Sequence, residues 1–197
     1  MFTATLLVHE TCYNRPMSEI LDVVNERDEV IGQAERDEVH RIGLVCRLAY
    51  VCFYTTNKKI ILQKRSTTKK NDPGKLTTTV SGHVASGQNY LEAAVRETLE
   101  ETGVEIEASD LVDMGVARAD YVQGDYLSSA MRGLFAYEFS GSISDLKVED
   151  GDGAGFVSLP IEELEKQLDS EPEKFAVVLT DKVGKDLFQK IKNQFEA

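Results

Sequence analysis

The chain has 197 residues, 42% hydrophobic and 28% charged, a length and composition typical of one globular domain. Asp and Glu number 34 against 22 Lys and Arg, so the formal net charge is −12, which disfavours non-specific binding to nucleic-acid polymers. No apolar run approaches the roughly 20 residues of a membrane span. Three irregularly spaced cysteines indicate neither a disulfide framework nor a zinc site, and we expect a cytoplasmic protein.

The first 18 residues end in Asn14-Arg15-Pro16, and Met17 opens a stretch typical of a domain start. We therefore divide the chain into an N-terminal extension, residues 1–18, and a single domain, residues 19–197. Two interpretations of the extension stay open: a loose appendage, or a dimer arm that adds an edge strand.

The sequence of the first half of the domain predicts two hairpins. A polar cluster at 25–29 separates two apolar runs, which is a hairpin signal. A long β-rich run ends at Thr55-Thr56-Asn57-Lys58, and a second apolar run follows that turn. The polar loop 66–75 ends in Asp72-Pro73-Gly74, a turn by composition. We predict strands at 20–24, 30–31, 44–54, 59–63 and 76–80.

The clearest helix spans 90–102, with Asn89 as its N-cap and Gly103 as its stop signal. Pro160 is placed to open a second helix, because the first helical turn accepts proline. Beyond residue 103 we predict strands at 104–107, 111–119, 130–139 and 155–159, then helices at 160–168 and 179–195. This mixture indicates an α+β fold with a mixed sheet.

The 90–102 helix carries a group of carboxylates opposite its apolar side. At about 100° per residue, Glu97, Glu100 and Glu101 fall within roughly a 100° arc. Like charges at this spacing repel one another, and the C-terminal end of a helix dipole favours cations. One interpretation is a solvated acidic face. The other is a site for a hard divalent cation, Mg²⁺ or Mn²⁺, which prefers oxygen ligands and bridges phosphates.

The surrounding residues favour the second interpretation. The segment resembles the Nudix box, Gly-x5-Glu-x7-Arg-Glu-U-x-Glu-Glu-x-Gly-U, where U is aliphatic, the signature of the Nudix (MutT-like) superfamily. Two positions depart from it: Gln88 replaces the first Glu, and Thr98 replaces the first aliphatic residue. The matching residues are Gly82, Arg96, Glu97, Glu100, Glu101, Gly103 and Val104.

The resemblance implies an α/β/α sandwich with a mixed sheet, and metal-assisted attack of water on a diphosphate. It assigns the metal to Glu97, Glu100, Glu101 and the Gly82 carbonyl, and names Glu100, Glu101 and Arg96 as catalytic. Arg96 would orient the carboxylates by ion pairing. The general base would be a box carboxylate or a downstream one, for which Glu149 and Asp150 are candidates; for those two a solvated loop is the alternative interpretation.

Further stretches at 22–26, 39–44 and 62–66, with Pro73-Gly74, are similar to the isopentenyl-diphosphate isomerase-like branch of the superfamily. That similarity suggests phosphate contacts for Lys64 and Arg65. However, Ser81 stands where the isomerases have a proton-transferring Cys, and serine lacks comparable acidity. The isomerase Trp after Pro-Gly, one metal-binding His and two downstream glutamates are also missing, although His40 and His83 are present.

We therefore predict a Mg²⁺-dependent (or Mn²⁺-dependent) Nudix pyrophosphohydrolase that cleaves a nucleoside-diphosphate-linked or similar small substrate. Two alternatives stay open: isopentenyl-diphosphate isomerisation, and a catalytically weak sensor of a nucleotide metabolite. The expected partner is a small diphosphate, with neither a nucleic-acid polymer nor a membrane, and the family suggests a homodimer. Substrate choice is expected to reside at 122–129, at 149–155 and in the N-terminal segment.

Overall fold

The computed structural model describes residues 19–149, 151 and 153–195, so the predicted N-terminal extension lies outside the described residues. The strands among them are β1 (Ile20–Val24), β2 (Val30–Glu35), β3 (Val45–Tyr54), β4 (Lys59–Arg65), β5 (Leu76–Thr77), β6 (Val80–His83), β7 (Val112–Gln123), β8 (Tyr126–Glu138) and β9 (Gly153–Pro160). The α-helices are α1 (Arg36–Ile42), α2 (Tyr90–Thr102), α3 (Ile161–Ser170), α4 (Val177–Thr180) and α5 (Lys182–Gln194).

Seven of these strands form one mixed sheet. Its main path runs β5-β4-β3-β8-β7, while β6 also pairs with β3 and β9 also pairs with β4. Strands β3 and β8 run parallel from Val45↔Ser129 to Tyr54↔Glu138, and the remaining pairings are antiparallel. Strands β1 and β2 form a separate antiparallel hairpin.

Helices cover both faces of the seven-stranded sheet. Because side chains alternate along a strand, Val51 and Phe53 of β3 face one core and Tyr50 and Cys52 face the other. The first core also contains Ala93 and Ala94 of α2. The second contains apolar residues of α3, α4 and α5, among them Leu164, Leu179, Leu187 and Ile191. The predicted α+β, mixed-sheet α/β/α sandwich is confirmed.

Helix α2 begins and ends where the sequence predicts. The Asn89 side chain accepts a hydrogen bond from the Glu92 N–H at 2.9 Å, and the Glu92 carboxylate accepts one from the Asn89 N–H at 2.9 Å. This reciprocal capping box satisfies two donors at the helix start. At the other end Gly103 has φ 69° and donates its N–H to the Leu99 carbonyl, a left-handed cap that glycine adopts without strain.

Several local predictions differ from the structure; for example, the strand predicted at 76–80 is divided into β5 and β6. Helix α1 was not predicted, because within its seven residues only Val39 and His40 are buried, too few for an apolar stripe. Residues 104–107 are not a strand; in that stretch only Ile106 is buried, so it offers no apolar edge for sheet pairing.

No helix among the described residues combines the length and apolar character that a membrane crossing requires.

The C-terminal helix predicted at 179–195 is divided in two. Asp181 adopts an extended backbone conformation between α4 and α5, and its carboxylate accepts a hydrogen bond from the Gly184 N–H. Asp is a strong N-cap because its side chain satisfies an unpaired N–H of the first helical turn. A new helix therefore begins at Lys182, although the apolar periodicity of the sequence continues across the break.

Candidate active site

The end of β6 lies directly against the side chain of Glu97 on α2. A Cβ atom at Gly82 would overlap the Glu97 carboxyl group. Gly82 pairs with Ala49 in the ladder between β6 and β3, so the strand cannot move aside without losing sheet hydrogen bonds. This close approach explains in physical terms why the motif requires glycine here.

The Glu97 carboxylate is nearly buried, since only 12% of its side chain is exposed. It forms an ion pair with Arg96, whose Nη1 atom lies 2.8 Å from Glu97 Oε1. Burial raises the pKa of Glu97 to about 7, although the Arg96 guanidinium opposes the rise. Desolvation thus outweighs the ion pair. A carboxylate in this position is stabilised by binding a proton or a second cation.

Glu101 lies one helical turn after Glu97 and is 5% exposed. Its Oε2 atom accepts a hydrogen bond from the Gln63 side-chain amide at 3.1 Å, and its Oε1 atom accepts one from the Ser81 N–H at 3.4 Å. Gln63 was not among the predicted site residues. Its only signal in the sequence is its position on the same face of β4 as Arg65, two residues away.

The third carboxylate of the motif, Glu100, is turned toward Arg96 and solvent. Arg96 Nη1 lies 2.9 Å from Glu100 Oε2, and 48% of the Glu100 side chain is exposed. On a helix, Glu97 and Glu101 lie about 40° apart, whereas Glu100 lies about 60° to the other side of Glu97. The structure therefore brings two of the three predicted carboxylates together. No group of three or more Asp, Glu, His or Cys side chains in the described part of the chain could hold a metal ion.

A cavity of about 920 Å³ opens in front of Glu97 and Glu101. Of the predicted site residues, it is lined by Gly82, Glu97, Glu101 and Arg65, but not by Arg96, Glu100 or Lys64. Cationic side chains also line the cavity: Arg36, Arg41, Lys69 and Lys70. In a protein of net charge −12, this arrangement places carboxylates and cations in one cavity that is open to solvent.

The two predicted phosphate contacts lie on opposite faces of β4. Arg65 lines the cavity and donates its Nε hydrogen to the Asn71 carbonyl at 3.0 Å. Lys64 is exposed and does not line it. The physical reason is the two-residue period of a strand, which sends neighbouring side chains to opposite faces. The cavity therefore receives Arg65 and Gln63.

Two histidines of the cavity wall form a buried hydrogen-bonded pair. His40 Nε2 lies 2.8 Å from His83 Nε2, and His40 Nδ1 lies 3.0 Å from the Leu127 carbonyl oxygen. Burial lowers the pKa of His40 and lowers that of His83 well below its usual range. Burial thus disfavours the charged form of both rings, which are joined by a hydrogen bond instead.

The candidate bases outside the motif lie in the loop before β9. Glu149 is exposed and does not line the cavity. Asp150 lies outside the described residues. Within the described residues, the motif helix contributes the carboxylates of Glu97 and Glu101 to the cavity, and Asp37, Asp72 and Asp125 line it elsewhere.

Comparison with known families identifies this arrangement. The NUDIX domain model matches residues 46–179, which is more than half of the chain. The chain belongs to the Nudix family. The matched residues contain the motif loop, helix α2 and six strands of the seven-stranded sheet in full.

Relatives of this Nudix protein support the same assignment. An uncharacterised Nudix hydrolase of Clostridium acetobutylicum is 27% identical over 157 residues, which are 78% of this chain and 75% of that protein. One from Yersinia pestis is 41% identical over 86 residues, 44% of this chain and 47% of the relative. That match, like several others, spans about half of the relative's length. The sequence-based prediction of a Nudix hydrolase is confirmed.

A solved structure, DR0079 from Deinococcus radiodurans, is similar to this chain at a TM-score of 0.70 and 27% identity. The similarity covers 87% of this chain and 98% of that one. The expected Nudix fold is confirmed over most of the domain. Membership of the isopentenyl-diphosphate isomerase-like branch stays a prediction.

Both departures from the Nudix motif have visible structural consequences. Thr98 is fully buried, and its hydroxyl donates to the Ala94 carbonyl at 2.7 Å, so a polar residue is accommodated without an unsatisfied group. Gln88 offers Arg96 a neutral amide oxygen at 3.4 Å, a longer contact than the 2.9 Å bond from Arg96 to the His83 carbonyl. The glutamate that the motif has at position 88 would offer Arg96 a negatively charged oxygen instead.

Replacing Gln88 with glutamate is expected to tighten Mn²⁺ binding about tenfold, the lower end of the range of effects from residues that orient metal ligands. A carboxylate at position 88 would attract Arg96, whose Nη1 now lies between Glu97 and Glu100. Electron paramagnetic resonance of free Mn²⁺ measures the dissociation constant. Gln88→Ala is the control and should show no tightening. An unchanged constant for Gln88→Glu would contradict this account of Arg96.

Proposed function

We propose that this Nudix protein hydrolyses a small diphosphate-linked substrate of the nucleoside diphosphate type, with Mg²⁺ or Mn²⁺ as cofactor. The observation that carries the proposal is the joint placement of Glu97, Glu101 and Gly82 in one cavity with Arg65. Carboxylates alone would repel a diphosphate, so their location beside a cationic wall favours an anion that arrives with a metal ion.

The donor set fits a small, hard cation. Glu97 and Glu101 contribute carboxylate oxygens and Gly82 contributes a carbonyl, and the raised pKa of Glu97 indicates a carboxylate short of positive charge. Mg²⁺ binds through one or two carboxylates, keeps several waters and takes substrate phosphates as further ligands. When bound, the cation would neutralise diphosphate charge and acidify a water. Two facing carboxylates are sufficient for this chemistry.

The chain's own residues then have separate roles. Glu101 is held by Gln63 and the Ser81 N–H, so its carboxylate is oriented before substrate arrives and can accept a proton from water at an oxygen atom. Arg96 is a positioning residue, because it contacts Glu97 and Glu100 without lining the cavity. Glu100 would help to hold the cation only after turning away from Arg96.

Arg65 is the chain's proposed phosphate contact. It lies two residues after Gln63, a separation of roughly 7 Å along an extended strand. Gln63 touches Glu101, so Arg65 is within one substrate length of the carboxylates. Its Nε bond to the Asn71 carbonyl orients the guanidinium, and guanidinium groups bind phosphate oxygens in pairs.

We also propose one domain from residue 19 to residue 197, preceded by the extension 1–18, because the first strand and the last helix pack into the same core. Strand β1 begins at Ile20 and packs Leu21 into the second core. At the other end, Ile191 of α5 is buried in that core. The homodimer suggested by the family stays a prediction.

Product analysis over a substrate panel tests the proposal. Purified protein is incubated with ADP-ribose, a nucleotide sugar, NADH and isopentenyl diphosphate, with Mg²⁺ or with EDTA, and products are separated by ion-exchange chromatography. We expect Mg²⁺-dependent cleavage of at least one nucleoside diphosphate compound. Isomerisation of isopentenyl diphosphate, or ligand binding without turnover of any compound, would overturn it in favour of the isomerase or the sensor.

A further inference from the structure

The wall of the cavity formed by the β7–β8 hairpin presents two tyrosine rings. Tyr121 pairs with Ser128 across the hairpin and Gln123 pairs with Tyr126, and all four line the cavity. The intervening Val122 points the other way and is 69% exposed, as the two-residue period of a strand requires. The hairpin thus directs one polar, aromatic face into the cavity.

The ring of Tyr126 is held in place from two directions. It stacks on the His40 imidazole with centroids 4.3 Å apart and planes 25° apart, and its hydroxyl lies 3.1 Å from His40 Nε2. The Leu127 carbonyl can only accept, so His40 Nδ1 carries the hydrogen, and the single lone pair of His40 Nε2 is shared between the nearby His83 Nε2 and the Tyr126 hydroxyl. Tyr121 lies beside Tyr126 with centroids 6.2 Å apart. The two rings are a preorganised aromatic surface.

This surface is connected to the carboxylate end of the cavity. His40 contacts His83, and His83 directly follows Gly82 in β6. Two imidazole rings therefore separate Tyr126 from the Gly82 backbone. A ligand with its diphosphate at Glu97 and Glu101 would reach the tyrosines with the group attached to that diphosphate.

The cavity's size and composition indicate what that group is. At about 920 Å³ the cavity is at the upper end of the range for drug-sized ligands, and a diphosphate alone would fill little of it. The aliphatic side chains that line it among the described residues are Leu48 and Val178, with Ala176. Such a lining favours a planar ring with polar edges over a branched hydrocarbon chain, because stacking needs aromatic faces and hydrocarbon needs aliphatic contact.

We propose that Tyr121 and Tyr126 form a stacking subsite for a nucleobase of the substrate. The proposal rests on the proposed function for the position of the diphosphate, and it adds the residues that select the rest of the molecule. Gln123 lines the same wall and offers an amide for the edge of the base. Base–aromatic stacking is tolerant of base identity, so the subsite would select nucleotides over base-free diphosphates rather than one base over another.

A matched pair of non-hydrolysable ligands tests the subsite. One is α,β-methylene-ADP, and the other is methylenediphosphonate, which has the same diphosphonate group without the nucleoside. Calorimetry with Mg²⁺ is expected to show that Tyr121→Leu and Tyr126→Leu each weaken the nucleotide roughly tenfold and leave methylenediphosphonate unchanged. Tyr121→Phe and Tyr126→Phe keep the ring and should retain most of the affinity. Val122→Ala, on the outer face of the hairpin, is the control.

A second measurement separates stacking from a structural effect of the tyrosines. The chain contains no Trp, so Tyr121→Trp would introduce a single indole. We expect α,β-methylene-ADP to change its fluorescence and methylenediphosphonate to leave it unchanged. Equal loss of affinity for both ligands in the leucine variants, no loss for either, or an indole that does not respond to the nucleotide would each overturn the proposal.

The two proposals fail separately. Mg²⁺-dependent cleavage of nucleoside diphosphate compounds, with no effect of the leucine variants on nucleotide affinity, would overturn the stacking subsite and leave the proposed hydrolysis standing. Nucleotide binding that depends on the tyrosine rings, without cleavage of any diphosphate, would overturn hydrolysis and support the subsite.

Discussion

Glu101→Gln is expected to lower Mg²⁺-dependent diphosphate hydrolysis roughly 1000-fold, within the range for loss of a general base or a metal-bound carboxylate. Glutamine preserves the shape of the side chain and an oxygen that can still accept from Gln63 or from the Ser81 N–H. The change therefore removes the charge and the basicity while the hydrogen-bonded setting persists. Initial rates on the best substrate of the panel measure the effect, with circular dichroism as the test of folding.

Glu105→Gln is the matched control for this experiment. Glu105 is exposed, four residues beyond Glu101, and outside the cavity lining. Its replacement makes the same chemical change and is expected to leave the rate within twofold of the wild type. Full turnover by the Glu101 variant would exclude this carboxylate from the reaction.

Asp181→Asn is expected to lower the free energy of unfolding by about 3 kcal/mol, the lower end of the range for breaking a buried ion pair from one side. Arg132 is 1% exposed, and its Nη1 atom lies 2.7 Å from Asp181 Oδ2. Its guanidinium also packs over the ring of Tyr50. Without Asp181 the buried charge loses its counter-ion. Arg132 donates to Asp181 Oδ2 and the Gly184 N–H donates to Oδ1, and asparagine has an acceptor oxygen at only one of these two positions and a donor at the other.

Urea denaturation of three variants makes the prediction specific. Arg132→Met is expected to cost less than Asp181→Asn, because Asp181 is 22% exposed and can be hydrated while it still caps α5. Asp186→Asn removes a surface ion pair with Lys182 and is expected to cost under about 1 kcal/mol. A larger loss for Arg132→Met than for Asp181→Asn would refute the asymmetry on which the prediction depends.

Local signals in the sequence predicted helix α2, which carries the motif carboxylates. Asn89 and Gly103 marked its ends, and the apolar stripe opposite the carboxylates indicated which side faces the core. These features act within a few residues of one another, so they operate in the same way in any fold that contains the helix. Helix α1 also ends at a left-handed glycine, Gly43, but it has no side-chain N-cap and buries only Val39 and His40, so the sequence contains no apolar stripe by which to predict it.

Contacts between distant segments could not be predicted in this way. Gln63 and Glu101 are 38 residues apart, and His40 and His83 are 43 apart. Each pair joins a helix residue to a strand residue, Glu101 of α2 to Gln63 and His40 of α1 to His83, so each contact depends on helix packing as well as on strand register. A single sequence contains no local pattern that specifies such a register, since the apolar alternation is compatible with several pairings.

By itself the sequence determined the chemistry available to this protein: an acidic chain, a capped helix with three carboxylates at fixed spacing, and a glycine ahead of it. The tertiary structure decided which of these groups share a space. Helix rotation places Glu97 and Glu101 in the cavity and leaves Glu100 outside it, and strand alternation admits Arg65 but not Lys64. Spacing along a chain is covalent and local, whereas the convergence of side chains on one cavity depends on the packing of helices and strands that the sequence keeps far apart.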